Sequence, residues 1–224
     1  MTLRFISATR LSQAEFEANS PLCRSLRRAS GWDSIELTVS ADNKAGLPHV
    51  YNRSIEAADG ADTLVFVHDD VWVDDWFISH RLNEALAVYD VVGVAGNTRW
   101  MPMQQNWFLA GDTHEVDSEH LSGGVAHGHL DQSMVFRYGT APAAAQLLDG
   151  VMIAVRAESL KSTGVRFDTA FDFHFYDTDF CRSCSAAGLC LGTWPIALTH
   201  ASPGQYKSRE WNLAYERYLK KWGE

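Results

Sequence analysis

A short apolar segment that stops abruptly at three polar residues constrains the fold of this 224-residue chain more than any other feature. Thr63–Val67 (TLVFV) form an apolar run, and His68, Asp69 and Asp70 follow directly. A strand without polar alternation is typical of a parallel sheet that is covered on both faces. Such sheets bind ligands at the carboxyl ends of their strands. We therefore expect a buried strand with the polar triplet at a ligand-binding edge.

Strands and helices alternate around this segment. The predicted strands cover residues 3–8, 34–40, 63–67 and 91–96, and the predicted helices cover residues 11–29 (divided at Pro21), 49–58 and 74–89. In the last of these helices we expect Asp74 and Asp75 at the cap and first turn. Its apolar side is predicted from Trp76, Phe77, His80, Leu82, Leu86 and Val88. This alternation indicates an α/β fold with right-handed crossovers.

The second half of the chain is less regular. Residues 97–148 have no sustained helical period, and we predict an irregular segment with a strand or two, including residues 132–138. Regularity returns with a strand and a short helix within residues 147–160, a helix that begins at Tyr176 or Asp177, and a last strand within residues 190–200. Trp211, Tyr215, Tyr218 and Trp222 then follow at helical spacing, which predicts an amphipathic helix with an aromatic face.

Composition excludes several classes of protein. Hydrophobic residues make up 46% of the chain and charged residues 21%, which fits a single folded domain. The balance of 19 basic and 28 acidic residues, a net charge of −9, argues against nucleic-acid binding. No run approaches the ~18 apolar residues of a membrane span, and Arg4 and Arg10 interrupt the amino terminus where a signal peptide would be apolar. We expect a cytoplasmic protein.

Two clusters of possible metal ligands have ordinary explanations. Cys181, Cys184 and Cys190 lie close together, but a closed zinc site takes four ligands and there is no second pair. We interpret them as reduced structural thiols. His127 and His129 lie in a glycine-rich stretch that could bind a metal, although a surface loop or a lid over an acceptor is the better interpretation.

Three other groups of residues could carry chemistry. The carboxylates of Asp69 and Asp70 could hold a divalent cation whose shell is completed by a ligand's phosphates, or one of them could cap the next helix. His200 ends an apolar strand, where it is either a metal ligand or a structural histidine. Asp172, Asp177 and Asp179 alternate with aromatic residues. Burial and mutual repulsion raise a carboxyl pKa towards that of a general base, although from this segment alone a solvated loop with Asp177 capping a helix is the safer interpretation.

In order and spacing, the segments VFVHDD, LDGVMIAVRAESL and FDFHFYDTDFC, with the later His200, resemble the family 2 nucleotide-sugar glycosyltransferases and their relatives. The segment over residues 43–71 is similar to the branch related to streptomycin biosynthesis. The resemblance spans residues 1–204. It implies an α/β, Rossmann-like fold of the GT-A type, a single domain with a mixed, mostly parallel sheet flanked by helices.

The resemblance also implies that different segments of the chain have different functions. Residues 1–98 would bind the nucleotide, residues 99–149 would form an irregular insertion on the acceptor side, and residues 150–204 would carry the catalytic and acceptor half. Residues 205–224 would form a helix packed on the domain. Rival interpretations are a catalytically inactive sugar- or protein-binding module and a metal-dependent nucleotidyltransferase or phosphohydrolase. The chain has no glycine-rich phosphate loop near its first strand, which argues against the last two.

Particular residues receive roles from the resemblance. Asp70, with His200 and His68, would hold Mn²⁺ or Mg²⁺ against the donor's diphosphate. Asp177 would be the general base and Asp179 its neighbour, with Tyr176 where many relatives have glutamate. The other candidates for binding the nucleotide-sugar are Ser7, Thr9, Asp42, Asn43, Asn52, Arg53, Asp69, Asp149 and Gly150. The implied activity is transfer of a sugar, most simply from a UDP-sugar, to a carbohydrate or other hydroxyl acceptor with inversion.

Overall fold

The computed structural model describes residues 2–29, 35–129, 132–202 and 207–223. The helices are α1 (Gln13–Asn19), α2 (Pro21–Ala29), α3 (Leu47–Ala57), α4 (Ile78–Leu86), α5 (Ala157–Thr163), α6 (Tyr176–Ala186) and α7 (Arg209–Trp222). The strands are β1 (Leu3–Ala8), β2 (Ile35–Ser40), β3 (Thr63–Val67), β4 (Val71–Val73), β5 (Val91–Gly93), β6 (Ala95–Asn97), β7 (Leu121–His127), β8 (Met134–Arg137), β9 (Ala143–Ala145), β10 (Leu147–Leu148), β11 (Met152–Arg156), β12 (Leu191–Thr193) and β13 (Leu198–His200). Ser34, the predicted start of the second strand, lies outside the described residues.

Seven strands of the described chain form the larger sheet, in the order β2-β1-β3-β11-β5-β12-β9. β1 is parallel to β2 and β3, and β12 is parallel to β5. β11 is antiparallel to β3 and β5, and β9 to β12, so most strands of this sheet share one direction. α3 packs on β1 and α5 on β11. The predicted α/β fold, with a mixed and mostly parallel sheet flanked by helices, is confirmed.

The apolar run Thr63–Val67 lies in the middle of the core. Leu64, Val65, Phe66 and Val67 are each no more than 1% exposed, and β1 and β11 pair with the two edges of β3. Alternation of polar and apolar residues is therefore absent from β3 for a physical reason: both faces of this strand are covered.

A second sheet was not predicted. In the described chain its order is β10-β6-β7-β13-β4, and β8 pairs with β7. Residues 99–149 contribute four strands to the two sheets instead of the expected strand or two, and β7 is central to the second sheet. Gly123 on β7 allows this packing, since a Cβ there would collide with the carbonyl of Val94. Two sequence segments read as single strands, residues 91–96 and 190–200, are each divided between the sheets.

The helix predicted over residues 74–89 is shorter than expected. Residues 71–73 form β4, and α4 begins only at Ile78. Asp74 does not cap the helix, because its carboxylate accepts a hydrogen bond from the Thr199 hydroxyl at 2.8 Å. Asp75 accepts from the backbone N–H of Phe77 in the preceding turn. Four residues assigned to the apolar side are instead exposed: Trp76 (53%), Phe77 (67%), His80 and Val88 (60%).

Cys181 and Cys184 belong to the core, and the last helix packs on it. Cys181 and Cys184 are buried, Cys190 is exposed and all are free thiols. α7 buries Trp211, Ala214 and Tyr218. Among the described residues, no helix combines the length and the apolar character that a membrane crossing requires.

Candidate active site

His68, Asp70 and His200 come together at the carboxyl ends of β3 and β13. His68 and Asp70 belong to the turn between β3 and β4, and β13 pairs antiparallel with β4 so that His200 is opposite Val71. The Nε2 atom of His200 is 3.2 Å from Asp70 Oδ1 and 3.5 Å from His68 Nδ1. Ser202 Oγ is 3.3 Å from the same His200 nitrogen. One potential ligand atom from each of His68, Asp70 and His200 lies within 4.8 Å of the other two.

The spacing and chemistry of this group fit a divalent metal ion. Three ligand atoms bound ~2.1 Å from a shared ion would lie ~3.0–3.5 Å apart. The two distances from His200 Nε2, 3.2 Å to Asp70 and 3.5 Å to His68, agree with this, and the ligand atoms of His68 and Asp70 lie within 4.8 Å of each other. A carboxylate suits Mg²⁺ and Mn²⁺, whereas imidazoles are the usual ligands of transition metals. The set of one carboxylate and two imidazoles therefore fits a divalent cation such as Mn²⁺ or Mg²⁺.

Electrostatic interactions within the group shift the pKa values of its three members in different directions. Burial alone would raise the pKa of Asp70, but the hydrogen bond with His200 and the charges of His200 and His68 lower it to about 2. The pKa of His200 is raised, because the hydrogen bond and charge of Asp70 outweigh its burial. Burial and the neighbouring His200 lower the pKa of His68. His68 is thus the imidazole that stays neutral most readily, as a metal ligand must.

Tyr176 fixes the orientation of His68. The Tyr176 hydroxyl donates its one proton to the Gly150 carbonyl at 2.8 Å and lies 3.0 Å from His68 Nε2. With the Tyr176 proton directed at the Gly150 carbonyl, which can only accept, we assign His68 Nε2 as the donor in that contact, so that the Nδ1 lone pair faces His200. Phe173 stacks on the His68 ring, with the centroids 5.8 Å apart. Sequence reasoning missed both contacts, and the tyrosine in place of the usual glutamate was the one available signal.

Asp177 lies one residue further along α6, and two backbone N–H groups hold its carboxylate. Its Oδ2 accepts the Gly150 N–H at 3.0 Å, and its Oδ1 accepts the Thr178 N–H at 2.8 Å. Burial and the nearby Asp149 carboxylate raise the pKa of Asp177 to about 6. Asp149 itself follows β10 and accepts the Val151 N–H at 3.0 Å. Gly150 is therefore shared: its N–H contacts Asp177 and its carbonyl contacts the tyrosine that holds His68.

Asp179 is not part of this constellation. It is 0% exposed, and its carboxylate binds Lys221 Nζ at 2.7 Å and Trp222 Nε1 at 3.0 Å. Lys221 also pairs with Asp168 at 2.7 Å. The helical period turns Asp179 away from Asp177, two residues earlier, and towards α7. We therefore assign Asp179 to anchoring the C-terminal helix instead of to catalysis.

Replacing Lys221 with methionine is expected to lower the free energy of unfolding by ~1–3 kcal/mol, because Asp179 would lose its cation while remaining buried. Partial exposure of Lys221 keeps the effect below that of a fully buried pair. Denaturant unfolding of this variant and of Lys220→Met, which changes the neighbouring exposed lysine, measures the difference. Equal stability of the two variants would contradict the assignment.

The candidates for binding a nucleotide are not equally available. Ser7 (0% exposed) and Thr9 (3%) are buried at the end of β1. The amide of Asn52 is occupied by the backbone of Phe167, donating to its carbonyl at 2.8 Å and accepting its N–H at 3.0 Å. Ser7 and Thr9 are therefore too buried to contact a nucleotide, and the Asn52 amide is already hydrogen-bonded within the protein.

The remaining candidates lie closer to solvent. Asp42 is exposed and Asn43 half-buried in the turn after β2, which is at the same edge as His68 because β1, β2 and β3 are parallel. The Asn43 side chain bridges the backbone of Ala45. Arg53 is exposed on α3, and Asp69 is half-buried, with its carbonyl accepting from the Ser20 hydroxyl at 2.7 Å.

His127 extends the site beyond the three ligands. β7 and β13 are parallel neighbours with His127 opposite His200, and the two rings are 5.6 Å apart. His127 Nε2 is 3.3 Å from the Tyr138 hydroxyl, and Phe136 packs edge-on against the His127 ring at 5.4 Å. His127 therefore belongs to a strand that borders the cluster, and it is not in a free loop.

Comparison with known proteins identifies the fold. No protein-family model and no curated protein matches the chain. Among solved structures, A197 from STIV is 12% identical to this chain and superimposes with a TM-score of 0.52. The alignment covers 93% of this chain and 100% of A197. GalNAc-T7, solved with UDP, GalNAc and Mn²⁺, is 10% identical and superimposes with a TM-score of 0.54. The alignment covers 98% of this chain and 48% of the GalNAc-T7 chain. The chain thus spans about half of the GalNAc-T7 chain. Together with the sheet topology, these likenesses show that the chain has a GT-A type of fold.

Proposed function

We propose that the chain is a metal-dependent glycosyltransferase that moves a sugar from a nucleotide-diphosphate donor to an acceptor hydroxyl. The observation that carries the proposal is the link between two chemical groups at one edge of the fold. Gly150 and Tyr176 connect the His68, Asp70 and His200 cluster to the Asp177 carboxylate. A site for a cation and a base of raised pKa are the two elements that this reaction requires.

The cluster supports the donor side of the reaction. Asp70, His68 and His200 would hold Mn²⁺ in preference to Mg²⁺, and the bound ion would supply positive charge to the departing diphosphate. Asp69 lies beside the cluster, and Asp42 and Asn43 lie at the same edge, available to the nucleoside. With a net charge of −9, the chain would otherwise repel an anionic donor. The UDP bound in the GalNAc-T7 structure makes a UDP-sugar the first donor to test.

Asp177 supports the acceptor side. Its carboxylate would take the proton of the acceptor hydroxyl as that oxygen bonds to the anomeric carbon and the bond from this carbon to the diphosphate breaks. Direct attack assisted by one base inverts the anomeric configuration. Asp149 and Gly150 would line the acceptor side. For the family branch, the similarity of residues 43–71 to the streptomycin-related branch of family 2 supports assignment to that branch. Incubation with UDP-sugars, Mn²⁺ and a panel of hydroxyl acceptors, with detection of free UDP and glycosylated product, tests the proposal.

The rate of transfer is expected to fall as the pH decreases through about 6, because Asp177 must be ionised to accept a proton and its pKa is raised to about 6. The measurement is the pH dependence of kcat at saturating Mn²⁺ and donor, with Mn²⁺ binding followed at each pH. A profile that stays flat down to pH 4.5 while Mn²⁺ remains bound would contradict a role for Asp177 as base.

The products released from a nucleotide-sugar distinguish the proposed activity from the rival ones. A nucleotidyltransferase or phosphohydrolase would release sugar phosphate or inorganic phosphate, whereas a glycosyltransferase releases nucleoside diphosphate. An inactive binding module would bind the donor and release neither. The raised pKa of Asp177 favours a catalyst, since a module that only binds sugar has no need of a base.

A further inference from the structure

Phe175, the residue just before α6, has an unusual backbone conformation. Its φ of 64° and ψ of 0° lie in the left-handed region, where Cβ crowds the backbone. Such a conformation in a residue other than glycine costs ~1–3 kcal/mol and persists only where its surroundings impose it. Phe175 is 5% exposed, so the surroundings that hold it are protein.

The aromatic face of α7 supplies that support. The Phe175 ring lies 5.2 Å from Trp211, 5.5 Å from Tyr215 and 5.2 Å from Tyr218, measured between ring centroids. Aromatic pairs at these distances contribute ~0.5–1.5 kcal/mol each beyond their buried area. Three such contacts are sufficient to offset the cost of the left-handed residue.

The two residues that follow Phe175 face the candidate site. Tyr176 contacts His68 and Gly150, and Asp177 contacts Gly150. Half a turn later, Asp179 is bound by Lys221 and Trp222 of α7. α7 therefore holds the first turn of α6 on both sides of the pair that faces the site.

We propose that α7 is a positioning element for the site: by stacking on Phe175 it imposes the backbone turn that aims Tyr176 at His68 and Asp177 at Gly150. Without the stack, Phe175 relaxes to an ordinary backbone conformation and the start of α6 shifts. His68 then loses the partner that fixes its tautomer. The consequence for sugar transfer rests on the proposed function, whereas the consequence for His68 does not.

Tyr215 offers a matched pair of variants. It is half-buried, and its hydroxyl bonds to the Met103 carbonyl. Tyr215→Phe removes that hydrogen bond and keeps the ring against Phe175, while Tyr215→Ala removes both. We expect the metal-free wild type and Tyr215→Phe to show the Nε2–H tautomer of His68 in long-range ¹H–¹⁵N NMR spectra. Tyr215→Ala should give a mixture of tautomers and bind Mn²⁺ ~10-fold more weakly, the loss typical of an outer-shell partner.

A second variant guards against a simple loss of folding. Phe175→Gly lacks the ring that α7 holds, and glycine populates left- and right-handed conformations about equally; the turn is then no longer imposed, so this variant should show the same mixed tautomers while circular dichroism reports a folded chain. The proposal is overturned if Tyr215→Ala and Phe175→Gly keep the single Nε2–H tautomer and wild-type Mn²⁺ affinity, or if the wild type carries the Nδ1–H tautomer. A wild type that shows these His68 signals but transfers no sugar would remove the proposed function and leave this inference standing.

Discussion

Replacing Asp177 with asparagine is expected to lower kcat for sugar transfer by a factor of ~10²–10⁴, the usual contribution of a general base. Asparagine has nearly the same shape but cannot accept the acceptor's proton. Donor and Mn²⁺ binding should change little, because Asp177 is not among the three potential metal ligands. The measurement is single-turnover transfer with Asp172→Asn as control, since Asp172 is an exposed carboxylate of the same segment.

Stability distinguishes loss of the base from loss of the fold. A carboxyl pKa raised from 3.8 to about 6 means that ionised Asp177 costs the folded state roughly 3 kcal/mol above pH 6 and nothing well below pH 4. Asparagine removes this cost. However, it cannot accept both backbone hydrogen bonds, and the donor that is left without a partner lowers the stability of the folded state by ~1–3 kcal/mol. The free energy of unfolding at pH 7 should therefore stay close to that of the wild type. Transfer at the wild-type rate by a folded Asp177→Asn variant would contradict the assignment of the base.

Replacing Asp70 with alanine is expected to weaken Mn²⁺ binding by at least ~100-fold and to reduce transfer below detection at micromolar Mn²⁺. Loss of an outer-shell partner alone costs ~10–100-fold in metal affinity, and Asp70 is the only carboxylate of the His68, Asp70 and His200 group in the described structure. Its removal also leaves the two histidines facing each other without an intervening negative charge.

Calorimetric titration with Mn²⁺ measures the effect of Asp70→Ala. Asp112→Ala is the matched control, because Asp112 is an exposed aspartate outside the cluster and the change in total charge is the same. Weaker binding by both variants would indicate a general effect of charge. Unchanged Mn²⁺ affinity in Asp70→Ala would show that the cluster is not the metal site.

The buried strand and the polar triplet at its end could be predicted because both depend on local sequence, whereas the approach of His200 depends on the pairing of β13 with β4. An apolar run that ends in His68, Asp69 and Asp70 is evident from spacing alone, and the ends of parallel strands meet at one edge. The start of α6 at Tyr176 and the split at Pro21 also follow from local signals.

The parts that were missed depend on contacts between distant residues. β4 is a strand because Val71–Val73 pairs with β13, more than a hundred residues later. Asp177 and Asp179 look alike in sequence, and only the positions of Gly150 and Lys221 separate their roles. The occupied amide of Asn52 likewise depends on Phe167, whose position no local pattern indicates.

The central claim is that His68, Asp70 and His200 bind a divalent ion that in turn holds a nucleotide diphosphate. The most direct test is the melting temperature of the wild type and of His200→Ala with UDP alone, Mn²⁺ alone and both together, since a ligand that binds only the folded state stabilises it. We predict a rise with both ligands in the wild type that exceeds the sum of the separate shifts and is absent from His200→Ala. An equal rise with UDP alone, or the same combined shift in His200→Ala, would contradict the claim.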